Sequence, residues 1–278
     1  MKRLWLAAAA LSLGSCVDPQ SAEASFCAAR PALCDAGIAD AGVDAGVDAG
    51  VDAGSCPSGD EFNGSTWNAC FRDVFPTQSS PSARLENGAL VFDQFTGHSW
   101  SNGNEGSFVA QPVTGNFLAE VNARLVLLDG GFHGPFTAAA LIAANPDASQ
   151  VNNRLVSVGS TNGPNDGGEP LYGVLSEVTG EAASVYTSIA TGSPQALIRL
   201  CRVNGAFYAY WRLSNPGTWM PFSPFFPDAG GPFPETLLVG PGAYNVNGQN
   251  TARVEHEWFR ITQAITIPTE CGTIDLTP

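Results

Sequence analysis

Glu255 and Glu257 stand two residues apart in the run Arg253 to Ile261. In an extended strand that spacing puts both carboxylates on one face. Two carboxyls roughly 5 Å apart are what a retaining glycosidase uses as nucleophile and acid/base. The plainer expectation, and the one adopted, is a pair of solvated carboxylates on an outer face. Nucleophilic chemistry has less support. The chain has no G-x-S-x-G elbow and no H-E-x-x-H, and none of its three histidines (98, 133, 256) stands beside a cysteine. Neither G-x-G-x-x-G nor a Walker pattern occurs, so no nucleotide site is expected. No catalytic residue is assigned.

Aromatic side chains are the other source of chemistry, because sugar rings present apolar C–H faces that stack on them. Within Ala206 to Leu213, alternation puts Phe207, Ala209 and Trp211 on one face and Tyr208, Tyr210 and Arg212 on the other. The first set reads as core. The second reads as a wet face able to hydrogen-bond a glycan. Trp100, next to His98, Ser99 and Asn102 in a polar loop, is a second candidate contact. His256 joins them if it reaches the same hollow, and binding would then change between about pH 5 and 8.

Strands must position these groups. Glu120 to Leu125 alternates polar and apolar residues, the pattern of a half-buried strand. Ala138 to Ala144 is a small apolar run suited to a strand buried between layers. Ala196 to Val203, Asn204-Gly205 and Ala206 to Leu213 form a hairpin, since Asn-Gly supplies the φ > 0 pair of a type I′ turn. Thr236 to Val239 and Arg253 to Ile261 complete the set. Some dozen strands without an amphipathic helix predict an all-β, two-sheet antiparallel sandwich.

Ahead of this domain the chain reads as an address and a tether. Lys2 and Arg3 precede an apolar run, Leu4 to Leu13, that is too short to span a membrane, for which about 20 residues are needed. Leu13-Gly14-Ser15-Cys16 resembles the bacterial lipobox, which implies lipidation of Cys16 and cleavage after residue 15. Val17 rather than Asp follows, so the expected destination is the outer membrane or cell surface. From Asp40 the chain repeats Asp-Ala-Gly-Val up to Cys56, with a glycine at every fourth position and Asp40, Asp44, Asp48 and Asp52 repelling one another. The spacing matches no calcium loop, so residues 16–55 read as a disordered tether with a reach of roughly 35 Å. No cofactor is expected, and structural calcium has no motif behind it.

Seven cysteines less Cys16 leave six, the even number expected of disulfides in an exported chain. Cys27 and Cys34 most simply pair locally. Cys56, Cys70, Cys201 and Cys271 allow three connectivities. Cys56–Cys271 with Cys70–Cys201 is favoured, because first and last strands of sandwiches commonly pair. No C-x-x-C occurs, which disfavours structural zinc.

Composition bounds the partners. The 278 residues carry 26 acids against 12 bases, a formal charge of −14, so no basic footprint for nucleic acid or anionic lipid exists. Charged residues are only 14%, and Gly (31) with Pro (20) suit a turn-rich β fold.

Within residues 56–278 several short motifs resemble one family in order. These are Asp60-Glu61-Phe62-Asn63-Gly64 with Trp67, Asn87-Gly88-Ala89-Leu90, Trp100, and Thr114-Gly115-Asn116-Phe117. Leu141-Ile142, the run Tyr210-Trp211-Arg212-Leu213-Ser214-Asn215-Pro216-Gly217-Thr218-Trp219 and the closing strand Val254 to Ile261 follow. Together they resemble the concanavalin A-like jelly-roll domains related to DUF1349 and the β-xylosidase C-terminal module. Pro216 stands where an Asp is common, and His256 where an aromatic is common. The Glu-x-Asp-x-x-Glu pattern of the jelly-roll glucanases is not met, because no acid follows Trp258 before Glu270. The resemblance implies a jelly roll with a non-catalytic, lectin-like carbohydrate-binding function. The alternatives are a structural or protein-interaction module of the cell envelope, and less favourably a glycoside hydrolase. Expected partners are a glycan or an envelope protein, with membrane contact only through the lipid, and a monomeric state.

Overall fold

Residues that alternate between apolar and polar must bury one face, and two such sheets satisfy each other by packing face to face. The structure, a computed structural model, describes residues 56, 58–74, 83–95, 107–127, 137–146, 155–163, 171–180, 183–222, 233–245 and 252–276. Its strands are β1 (Gly59–Asp60), β2 (Arg72–Val74), β3 (Ala83–Glu86), β4 (Ala89–Phe95), β5 (Ser107–Thr114), β6 (Phe117–Leu127), β7 (Thr137–Ala144) and β8 (Leu155–Gly163). They continue with β9 (Leu171–Gly180), β10 (Ala183–Ala190), β11 (Gln195–Val203), β12 (Ala206–Arg212), β13 (Met220–Pro221), β14 (Thr236–Asn245) and β15 (Ala252–Thr262). The helix described is one turn, α1 (Glu270–Thr273). Among the described residues no helix is long and apolar enough to cross a membrane.

The predicted two-sheet antiparallel sandwich is what forms. One sheet runs β13-β12-β11-β6-β15-β4-β3, with β1 against the far end of β15; the other runs β10-β9-β8-β7-β14-β5-β2. Each strand pairing is antiparallel. The core between them is built from Phe92, Val121, Ile198 and Phe207 of the first sheet and Val109, Leu141 and Val239 of the second.

Local sequence explains the elements. Asn204 (φ 51) and Gly205 (φ 82) turn β11 into β12, as the Asn-Gly pair requires. Strand β7 is buried along its whole length. Ala139, Leu141 and Ala143 enter the central core, and Ala138, Ala140, Ile142 and Ala144 join Phe108, Leu238 and Tyr244 on the sheet's other side. A strand buried on both faces cannot alternate, which is why its sequence is a run of small apolar residues. Asp60 organises the opening loop, accepting the N–H of Phe62 at 2.8 Å and of Asn68 at 2.6 Å. Those bonds hold Phe62 at φ 51 with its ring fully in the core.

The favoured disulfide connectivity is corrected. Cys56 bonds Cys70 and Cys201 bonds Cys271. The first clips the opening loop locally. The second fastens the segment after β15 across the outside of β11, so first and last segments are each tied to the sandwich rather than to one another. Cys16, Cys27 and Cys34 lie outside the described residues.

Candidate functional site

The outer face of the first sheet divides into a covered and an open half. Residues 263–276 run back over β11, β12 and β6 as a strap. Beneath it Leu118, Cys201, Val203, Ile265 and Cys271 form a small buried cluster, with Tyr208, Tyr210, Ile274 and Leu276 packed against it. A Cβ on Gly272 would sit 3.5 Å from the Tyr210 ring, and burial pushes the Tyr210 hydroxyl pKa up.

Deeper under the strap, Arg199 and Glu120 form an ion pair with no solvent exposure on either side chain. Arg199 donates to Glu120 Oε1 from Nη2 at 2.5 Å and Nε at 3.1 Å, to Cys271 O at 2.7 Å, and to Ile274 O. Glu120 Oε1 also accepts the Leu276 N–H at 3.2 Å. Burial pushes the Glu120 carboxyl up more than the Arg199 guanidinium draws it down. Trp219 lies between two guanidiniums, Arg199 at 3.9 Å and Arg212 at 4.3 Å from its ring centre.

The expected wet face is therefore covered in part, with Tyr208 and Tyr210 half-buried and Arg212 buried. Tyr208, Tyr210 and Arg212 do share the side opposite Phe207 and Ala209, as alternation predicts. Arg212 is only 4% exposed, donating to Asp275 Oδ1 at 3.1 Å and to Gly217 O at 3.2 Å. What covers them is a segment more than fifty residues downstream. The signal available in the sequence was Cys271, the one cysteine of that segment.

His256 is corrected too. It is fully buried between the sheets, its ring edge-on to Phe92 with centres 6.0 Å apart, and its Nε2–H donates to Gly242 O at 3.0 Å. Among the described residues Nδ1 has no hydrogen-bond partner. Removal from water lowers its pKa to about 4, only partly offset by the Gly242 bond. It cannot titrate in a ligand hollow. Its alternation with Val254 was the sequence signal for this. His98 and Trp100 lie outside the described residues.

The open half carries a row of polar side chains across β3, β4, β15, β6 and β11. Arg84 bonds Glu86 at 2.6 Å and also Asp93; Arg253 bonds Glu86 at 2.8 Å and Glu255 at 2.7 Å. Arg253, then Arg84, draw the Glu86 carboxyl pKa below its usual value. Arg124 reaches Glu255 at 3.4 Å. Beyond them Gln195 Nε2 donates to Asn122 Oδ1 at 2.9 Å, and Asn122 Nδ2 donates to Glu257 Oε2 at 2.6 Å. Glu255 and Glu257 thus share one outer face, as their spacing predicts, each with a cation or amide on its carboxylate. A β-bulge between His256 and Phe259 then shifts the register, so that Trp258 and Phe259 are both buried.

This row offers planar amide, carboxylate and guanidinium groups that donate and accept hydrogen bonds side by side, as a polyol needs. Among the described residues no group of three His, Cys, Asp or Glu side chains could hold a metal ion. A cleft of about 530 Å³ at the end of β15 is lined by Asp60, Glu61, Arg260 and Thr262. There Arg260 bonds Glu61 at 2.5 Å and Leu276 O at 2.6 Å.

No family model matches the chain, and no curated protein matches it. Solved structures do. A functionally unknown protein from Saccharomyces cerevisiae superposes with a TM-score of 0.52 at 14% identity, covering 70% of this chain and 97% of the yeast protein. The GH43 protein BlXynB from Bacillus licheniformis superposes with a TM-score of 0.55 at 13% identity, covering 74% of this chain. Only 39% of that longer protein is covered. The Lotus tetragonolobus seed lectin matches at 0.48 and 15% identity, over 72% of this chain and 96% of its own. At these identities the likeness concerns the fold, a concanavalin A-like jelly roll.

Proposed function

We propose that the chain is an exported lipoprotein whose sandwich binds carbohydrate without cleaving it. The carrying observation is the relay Gln195–Asn122–Glu257, which runs from two half-buried amides to an exposed carboxylate beside the Arg124–Glu255 pair. Such planar groups recognise adjacent sugar hydroxyls, each hydrogen bond contributing about 1 kcal/mol, or about twice that to a charged group. The fold shared with a GH43 protein supports this reading. Glu255 and Glu257 are tied into a cross-strand ladder, each carboxylate held by a neighbouring side chain. Hydrolysis is therefore not proposed. Cys16 carries the lipid, and residues 16–55 hold the domain away from the membrane.

A glycan array with the full chain tests the proposal. Asn122→Ala and Gln195→Ala should each weaken binding severalfold, while Tyr210→Ala, under the strap, should not act through direct contact. Turnover of a bound glycan, abolished by Glu257→Gln, would contradict the non-catalytic reading. Palmitate labelling that survives Cys16→Ala would contradict the anchor.

A second reading, an envelope protein-interaction module, draws on Leu213 (45% exposed) and Met220 (48% exposed) at the two ends of the turn after β12. It predicts no glycan binding, and capture of an envelope protein that is lost in Leu213→Ser/Met220→Ser.

A further inference from the structure

Among the described residues the two sheets end on β13, β3, β10 and β2, with the two-residue β1 a further edge beside β15, and all but β10 are poor templates for another chain. Strand β13 is two residues long and includes Pro221. Strand β3 has four residues, with Arg84 and Glu86 among them, and β2 has three, with Arg72 and Asp73. Short length, charge and proline are the usual means by which sheet edges avoid pairing. Strand β10 has none of them. Ala183–Ala190 reads Ala-Ser-Val-Tyr-Thr-Ser-Ile-Ala, eight residues with no charge and no proline. It pairs over its whole length with β9. Among the described residues nothing pairs with its other side. Ser188 and Ala190 are exposed, and Ile189 packs on the core edge.

We propose that β10 is a self-association edge, at which two copies of this chain join β10 to β10 antiparallel across a two-fold axis and continue one sheet through both. A chain of net charge −14 repels its own copies, so contact is cheapest where the edge carries no charge. The strand is also its own match. In an antiparallel pair, opposite residues share a face, so a two-fold axis must pass through a residue. An axis at Thr187 sets Val185 opposite Ile189 and Tyr186 opposite Ser188. An axis at Tyr186 sets Ser184 opposite Ser188 and Val185 opposite Thr187. Neither register opposes like charges. The same sheet's other end, β2, is short and charged, so the association closes at two copies instead of growing into a fibre.

The test uses the full chain in detergent. Sedimentation velocity from about 1 to about 100 μM should show a dimer, and Tyr186→Lys/Ser188→Lys should weaken it at least tenfold, because either register clusters the four lysines. A single cysteine at Thr187 or at Tyr186 should give a disulfide-linked dimer on a non-reducing gel, and the stronger of the two reports the register. Ala83→Cys, on the guarded edge β3, should give none. Circular dichroism of each variant checks that the sandwich persists. A wild-type monomer throughout the range, including one that captures an extended segment of a different protein, overturns the proposal. So does a dimer indifferent to the lysines and cross-linking no better through β10 than through β3.

Discussion

Acid should loosen this fold through one buried imidazole before its carboxylates are protonated. His256 is fully buried, its folded pKa lies at about 4 against an ordinary value of 6.5, and it packs beside Phe92, with Gly242 O its hydrogen-bond acceptor. Because the folded pKa is depressed, the unfolded chain binds the proton more readily between pH 6.5 and 4, so stability falls as pH falls through that window. The loss is about 1.4 kcal/mol per pH unit once the unfolded imidazole is protonated, and about 3 kcal/mol in total by pH 4. Urea denaturation followed by tryptophan fluorescence at pH 7, 6, 5 and 4.5, with disulfides intact, measures it. His256→Leu removes the titrating group. It should cost about 1–3 kcal/mol at pH 7, since Gly242 O loses its donor, yet lose the wild type's steeper fall in stability from pH 6.5 to 5. Glu86 and Glu270, whose folded pKa values are lowered by hydrogen bonds, contribute stability that is lost only below about pH 4.5. They do not blur the comparison above pH 5. Parallel slopes for wild type and His256→Leu between pH 6.5 and 5 would show that His256 does not carry the acid sensitivity.

Other perturbations follow from the strap and the sheet. Arg199→Met leaves the Glu120 carboxylate buried without its cation and should cost about 3–5 kcal/mol in urea denaturation, with Arg199→Met/Glu120→Met recovering part of that loss. Cys201→Ser/Cys271→Ser opens a loop with a sequence separation of 70, worth about 4 kcal/mol in the chain-entropy model. Limited proteolysis should then cut first within residues 263–276, while the wild type resists. Gly240→Ala places a Cβ 2.0 Å from Val109 O in the middle of a paired strand. It should lower the melting temperature by an amount corresponding to about 3 kcal/mol; an unchanged melting temperature would show that β14 can shift.

Features that depend on neighbours along the chain were legible before any fold was known. Asn204-Gly205 had to turn, because few other pairs accept two positive φ values. Alternation placed Phe207 and Ala209 opposite Tyr208 and Tyr210, and put Glu255 and Glu257 on one face. The unbroken apolar run of β7 announced a strand with no wet side. Alternation says which residues share a face, but not what lies over that face. Packing of distant segments laid residues 263–276 over the tyrosine side of β12 and brought Cys201 to Cys271 rather than to Cys70. It also decided that Glu120 and Arg199, ordinary surface residues by type, lie fully buried under that segment. These outcomes rest on contacts between segments tens of residues apart, whose pairing follows from how the whole sandwich packs. The relay Gln195–Asn122–Glu257 arises in the same way: three strands distant in sequence are brought side by side, and only there do their side chains become a surface.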